Sequence, residues 1–143
     1  MTTAGQKLIN ETYCNSKCTE QFLRTMLEKI TDEEFERDVC EQIGKYRKLK
    51  ESAEQRLRVA GHLPKEWKPW RNAWNWSWLQ WNTLWDISSS HMADLMLHEN
   101  IRGISEITKT MNRYPRAEKA ALEIAQELVD FEETSIRLMK TYL

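Results

Sequence analysis

The segment at 86–90 reads Asp86-Ile87-Ser88-Ser89-Ser90 and lies inside a helical pattern that extends from Trp70 to Met111. An unbroken helix over that range would be about 63 Å long, whereas the other helices predicted below would measure roughly 35–45 Å. Asp and Ser side chains compete for backbone hydrogen bonds and readily cap a new helix. We therefore expect the helix to break at 86–90 and a new helix to follow.

Four long helices are predicted around this break, because apolar residues recur at steps of three and four. Their ranges are about 6–29, 32–60, 87–112 and 115–142. Thr31 with Glu34 has the pattern of a capping box, and Gly61 with Pro64 is a typical helix end. Pro115 suits the first turn of the last helix. The links within each pair of helices are short, which predicts two antiparallel hairpins.

The connector 61–86 is long enough to cross from one end of a bundle to the other, and we expect it to contain a helical piece. Two hairpins joined by such a crossover are typical of ferritin-like folds. The prediction is one all-α domain over 1–143, a ferritin-like four-helix bundle with a Trp-rich crossover. An up-down-up-down bundle with one overlong helix is the alternative.

Composition excludes several classes of protein. The chain has 143 residues, 41% of them hydrophobic, with only 4 Gly and 3 Pro, so it can bury a core but has few turns for a β-sandwich or barrel. A net charge of -1 lacks the basic footprint of a nucleic-acid binder. There is no apolar run of membrane-span length and no signal-peptide pattern, and the three Cys suit reduced thiols. We expect a cytoplasmic protein with no membrane span.

All seven Trp residues fall within a short segment of the connector. They are Trp67, Trp70, Trp74, Trp76, Trp78, Trp81 and Trp85. Trp70, Trp74, Trp78, Trp81 and Trp85 follow helical spacing and line one face. This face could pack on the bundle core, join subunits of an oligomer, or contact a ligand or membrane surface.

A second pattern is formed by His91, Asp94 and His98, which share one side of a helix. With Glu20, Glu132 or Glu133 from another helix they could hold a divalent ion, although the Glu-x-x-His pairs of di-iron bundles are absent. The alternative is a hydrogen-bonded His in a partly polar core, with His91 nearer the interior than His98. No phosphate loop or nucleophile motif is present, so we expect neither an enzyme nor a cofactor.

The run from Asn82 to Leu97, together with the turn Asn112-Arg113-Tyr114-Pro115, resembles a pattern in short bacterial proteins. These are uncharacterised ferritin-like helical-bundle proteins, mostly of anaerobic Firmicutes. The resemblance implies a ferritin-like bundle of unassigned function in which Ser90, His91 and Asp94 match the family's characteristic patch. The density of Trp before that patch departs from the family pattern.

The functional hypothesis is a non-enzymatic protein that acts through protein–protein contacts. We expect a homo-oligomer formed through the face of Trp70, Trp74, Trp78, Trp81 and Trp85. The alternative is a ferritin-like protein that binds a metal or small molecule through His91, Asp94, His98 and Glu20.

Overall fold

The computed structural model describes residues 1–67 and 69–143, and for 69–74 it describes only the course of the backbone. Five helices are present in this part of the chain, and none of its residues forms a strand. They are α1 (Thr3–Leu27), α2 (Glu33–Val59), α3 (Pro69–Thr83), α4 (Ser89–Arg113) and α5 (Lys119–Lys140). The all-α prediction is confirmed. None of the helices in the described residues is both long and apolar enough to cross a membrane.

The predicted break in the long helical pattern is confirmed. Helix α3 ends at Thr83, and the Ser88 hydroxyl caps α4 by accepting a hydrogen bond from the backbone N–H of His91 at 3.2 Å. Asp86 accepts from the backbone N–H of Ser88 at 2.9 Å, which holds the link in a turn. A single helix from Trp70 to Met111 is therefore ruled out.

Two predicted helix starts were wrong in detail. Helix α2 is capped by Asp32, whose side chain accepts from the N–H of Phe35 at 3.0 Å, so the capping box of Thr31 does not form. Helix α5 starts at Lys119 rather than at Pro115, because 114–117 forms a turn in which Ala117 donates to the Tyr114 carbonyl. Both corrections reflect short polar segments in which several residues can cap or turn the chain.

Helix α1 is the centre of the packing, because it contacts all four other helices. The pairs α1–α2 and α4–α5 are each in contact and joined by a short link, so each pair is a hairpin. A helix surrounded in this way buries polar as well as apolar residues. Its buried polar residues are Asn10, Thr12, Asn15, Ser16, Thr19 and Glu20.

The start of the connector is attached along α1. After the left-handed Gly61 (φ 80°), the backbone N–H of Lys65 donates to Asn10 at 2.9 Å, and the Cys14 thiol donates to the Lys65 carbonyl at 2.8 Å. Glu66 accepts from the Tyr13 hydroxyl at 2.9 Å. These contacts bring the chain across the surface of α1 and place α3 beside it.

Candidate functional site

Helix α3 packs on α1 through small and aliphatic side chains. Leu79 and Thr83 are its buried residues among those described, and Asn75 donates a hydrogen bond to the Cys18 sulfur at 3.2 Å. The sequence between Arg71 and Asp86 carries no charged side chain. Among the residues whose side chains are described, the side of α3 that faces α1 carries Asn75, Leu79 and Thr83.

Most of the described tryptophans of this region face solvent. The exposed fractions are 57% for Trp76, 40% for Trp78, 74% for Trp81 and 90% for Trp85. Leu84 and Ile87 beside them are also exposed. We call these six residues (Trp76, Trp78, Trp81, Leu84, Trp85 and Ile87) the tryptophan face.

The tryptophan face includes three of the five predicted residues. Trp78, Trp81 and Trp85 belong to it, whereas the side chains of Trp70 and Trp74 lie outside the described residues. Trp78 also contacts the bundle, since its ring lies 6.5 Å from that of Phe22 between centroids. The face can remove a large apolar area from water and can donate hydrogen bonds through its indole N–H groups.

A polar core lies inside the bundle, and sequence reasoning did not foresee it as a unit. The guanidinium of Arg102 binds Glu99 and, at 2.9 Å, Glu106, and it lies 5.8 Å from the ring centroid of Trp67. Burial alone would lower the pKa of Arg102. The hydrogen bonds that Arg102 donates to Glu99 and the charges of Glu99 and Glu106 outweigh burial and raise that pKa, so Arg102 stays positively charged.

Glu132 completes the polar core from α5. Its side chain is 0% exposed, and no described residue donates a hydrogen bond to its carboxyl group. Burial, reinforced by the charge of Glu99, raises the pKa of Glu132 to about 9, so it is a neutral acid at pH 7. A Cβ at Gly103 would lie 2.4 Å from one of these carboxyl oxygens, so any other residue at 103 would displace the Glu132 side chain. The sequence feature that indicates a buried acid is the position of Glu132 on the apolar stripe of this helix, between Leu128 and Ser135.

Of the predicted metal ligands only Asp94 and His98 lie close together, with 3.6 Å between a carboxylate oxygen and Nδ1. His91 donates to the backbone oxygen of Asn82 at 2.7 Å, whereas His98 is exposed and donates to the backbone oxygen of Asp94 at 2.8 Å. Glu20 is engaged by Lys50 at 2.7 Å and by Arg24 at 3.0 Å. Within the described ranges, no group of three or more His, Cys, Asp or Glu could hold a metal ion.

The two histidines differ as predicted, because His91 is partly buried and His98 is exposed. His91 joins the first turn of α4 to Asn82 near the end of α3. We expect His91→Ala to lower the free energy of unfolding by about 1 kcal/mol, the net value of one such hydrogen bond. Urea unfolding checks this, with His98→Ala as the control that leaves stability nearly unchanged. Equal losses from both replacements would contradict this role of His91.

The tryptophan face and the polar core differ in access. The face is open to solvent, whereas Glu132 in the polar core is enclosed.

Comparisons with protein-family models, curated proteins and solved structures find no match to this chain. A functional proposal therefore depends on which cluster a partner can reach, and that cluster is the tryptophan face.

Proposed function

We propose that this chain is a non-enzymatic protein that acts through protein–protein contacts, and that its partner at the tryptophan face is a second copy of itself. The observation that carries the proposal is the exposure of Trp76, Trp78, Trp81 and Trp85 on an uncharged segment. Trp78, Trp81 and Trp85 follow helical spacing on one side of the segment, and an exposed apolar surface of this kind usually marks a contact surface.

The architecture in this proposal is a ferritin-like four-helix bundle of α1, α2, α4 and α5, with α3 as the crossover. Support comes from the two hairpins, from the central position of α1 and from the length of the connector. Cytoplasmic location is also part of the proposal, since none of Cys14, Cys18 and Cys40 forms a disulfide.

The area of the face fits a dimer. A Trp side chain can bury roughly 150–250 Å², and each partner in a standard interface contributes about 800 Å². Trp78, Trp81 and Trp85, with Leu84 and Ile87 beside them, supply a large part of that area. Interfaces of this kind derive most of their energy from a few aromatic anchors.

The charge of the face also fits a second copy. In a two-fold symmetric dimer the same surface meets itself, so a patch of one charge sign would repel its own copy. The tryptophan face has no charged residue, and Gln80 and Asn82 beside it offer both donors and acceptors. Asp86 is the one charged residue between Trp76 and Ile87, and it lies at one end of the face, so two copies placed antiparallel keep their Asp86 side chains apart.

Trp81→Glu tests the proposal. We expect this variant to be a folded monomer under conditions where the wild type is a dimer, because a buried unpaired carboxylate strongly disfavours the interface. Trp81 is largely exposed, so its replacement leaves the monomer core intact. Light scattering gives the mass and circular dichroism the helix content.

Val59→Glu is the matched control, since Val59 is an exposed apolar residue at the end of α2, outside the tryptophan face. It should leave the dimer unchanged. A Trp81→Glu variant that stays dimeric would refute the assignment of the interface to this face.

A further inference from the structure

A groove of about 400 Å³ lies between α1 and α3. Its apolar lining comes mainly from Phe22 and Leu79, which are buried, and from Trp76, which is exposed. The volume is near the lower end of the roughly 300–1,000 Å³ that is typical of small-ligand pockets. The groove therefore has the size of a site for one small molecule rather than for a length of peptide.

Among the described residues, Arg24 is the only charged side chain that lines the groove. Its acidic partner, Glu20, is buried and lies outside the lining. One oxygen of Glu20 accepts from Arg24 at 3.0 and 3.2 Å, and the other oxygen accepts from Lys50 at 2.7 Å. Because one carboxylate is shared by two cations, one positive charge is left uncompensated, and Arg24 presents it to the groove.

Hydrogen-bond donors lie beside this charge. The described hydrogen bonds of Arg24 use Nε and Nη2, which leaves the Nη1 hydrogens for a second acceptor. The Asn75 amide has two N–H bonds and gives one of them to the Cys18 sulfur. Gln21 adds an exposed amide to the lining. A carboxylate only accepts hydrogen bonds, and its shape matches a guanidinium.

We propose that this groove binds a small aromatic carboxylate, with its ring against the apolar lining and its carboxylate beside Arg24. The ring of Trp76 offers a surface for stacking, and the uncompensated charge favours an anionic group over a neutral one. The site does not depend on the proposed self-association. It lies on the Leu79 side of α3, whereas Trp81, two residues further on, lies on the opposite side of the helix.

Phenylacetate and its neutral counterpart phenylacetamide test the proposal by isothermal titration calorimetry. We expect phenylacetate to bind at one site per chain with a dissociation constant of about 1 mM or lower, as suits a ligand of this size. Phenylacetamide has nearly the same shape without the charge, so it should bind at least about 10-fold more weakly. Arg24→Gln should weaken the binding of phenylacetate by about the same factor and leave that of phenylacetamide nearly unchanged.

Arg58→Gln is the matched control for Arg24→Gln. Arg58 donates from the same two nitrogens to Glu54, the acid four residues before it, at 2.7 and 2.9 Å, and it lies outside the groove. Its replacement should leave the affinity for phenylacetate unchanged. Circular dichroism checks the fold of Arg24→Gln, in which Lys50 still pairs with Glu20.

A groove-filling variant tests the location of the site. Gln21→Trp brings an indole into the groove from an exposed position, so it should abolish the binding of phenylacetate. Thr108→Trp adds the same indole at an exposed position of α4, away from the groove, and should leave binding unchanged.

Several results would overturn the proposal. One is the lack of saturable phenylacetate binding up to about 10 mM. Equal affinities for phenylacetate and phenylacetamide, or an unchanged affinity in Arg24→Gln, would show that the charge of Arg24 does not select the ligand. Binding that persists in Gln21→Trp would place the ligand elsewhere. These results are independent of whether the wild type dimerises, so this inference and the proposed function can fail separately.

Discussion

We expect Glu132→Gln to raise the stability of the fold at alkaline pH and to remove much of the decline in stability that the wild type should show as pH rises. The folded protein keeps the Glu132 proton up to a pKa of about 9, because burial disfavours the carboxylate. The unfolded chain releases that proton near the ordinary value of about 4.3. Gln keeps the shape of the neutral acid and does not titrate.

The sign of the effect follows from proton linkage. Between the two pKa values the folded state binds one proton more than the unfolded state, so this group lowers stability as pH rises, by up to about 1.4 kcal/mol per pH unit. The stability that the protonated Glu132 contributes is fully present below the pKa of this group in the unfolded chain, and it is lost as the pH rises toward 9. At about pH 8 the expected difference between Glu132→Gln and the wild type is several kcal/mol.

Urea unfolding at about pH 5, 7 and 8.5 measures this difference across the window. Glu133→Gln is the control, because Glu133 is the exposed neighbour in the same helix and should leave the pH dependence unchanged. Parallel pH curves for Glu132→Gln and the wild type would show that Glu132 is ionised in the folded state.

Arg102→Ala is expected to lower the free energy of unfolding by about 3–5 kcal/mol. The guanidinium neutralises Glu99, which is buried, and Glu106, and removing it leaves their charges uncompensated. Adding Glu99→Gln to Arg102→Ala should restore part of the loss, since the second change removes one stranded charge.

Urea unfolding at neutral pH measures both variants of the polar core. Arg113→Ala is the control, because Arg113 is an exposed residue in the last turn of the same helix. A loss from Arg102→Ala no larger than that control would contradict the role of Arg102 as the internal counter-charge. If adding Glu99→Gln to Arg102→Ala recovers no stability, the loss caused by Arg102→Ala comes from packing instead.

The helices were predictable because their determinants are local. Apolar residues at helical spacing, and Ser88 and Asp86 at the break, lie within a few residues of the structure they specify. The errors at Thr31 and Pro115 arose where neighbouring residues could serve equally well as cap or turn. Local chemistry predicts that a helix starts there but leaves the starting residue open within a few positions.

The orientation of α3 was not predictable from periodicity. The tryptophan stripe is larger and more apolar than Leu79 and Thr83, so a pattern of hydrophobicity favours the stripe as the buried side. The structure instead places Asn75, Leu79 and Thr83 against α1, where Cys18 accepts a hydrogen bond from Asn75. Which side of α3 is buried therefore depends on tertiary packing.

The polar core escaped prediction for a similar reason. Polar residues of α1 such as Asn15 and Thr19 are normally assigned to solvent, but contacts with four helices bury them. Glu132 gave the clearest signal, as a carboxylate on an apolar stripe. Its closeness to Gly103 and Glu99 depends on how α4 packs against α5, which one helix pattern does not encode.

The mass of the wild-type protein in solution tests the central claim most directly. Sedimentation equilibrium from low to high micromolar concentration should show a reversible approach to twice the chain mass of 17.1 kDa. That result is expected if the uncharged face of Trp76, Trp78, Trp81 and Trp85 joins two copies. A mass that stays at 17.1 kDa over the whole range would contradict the claim.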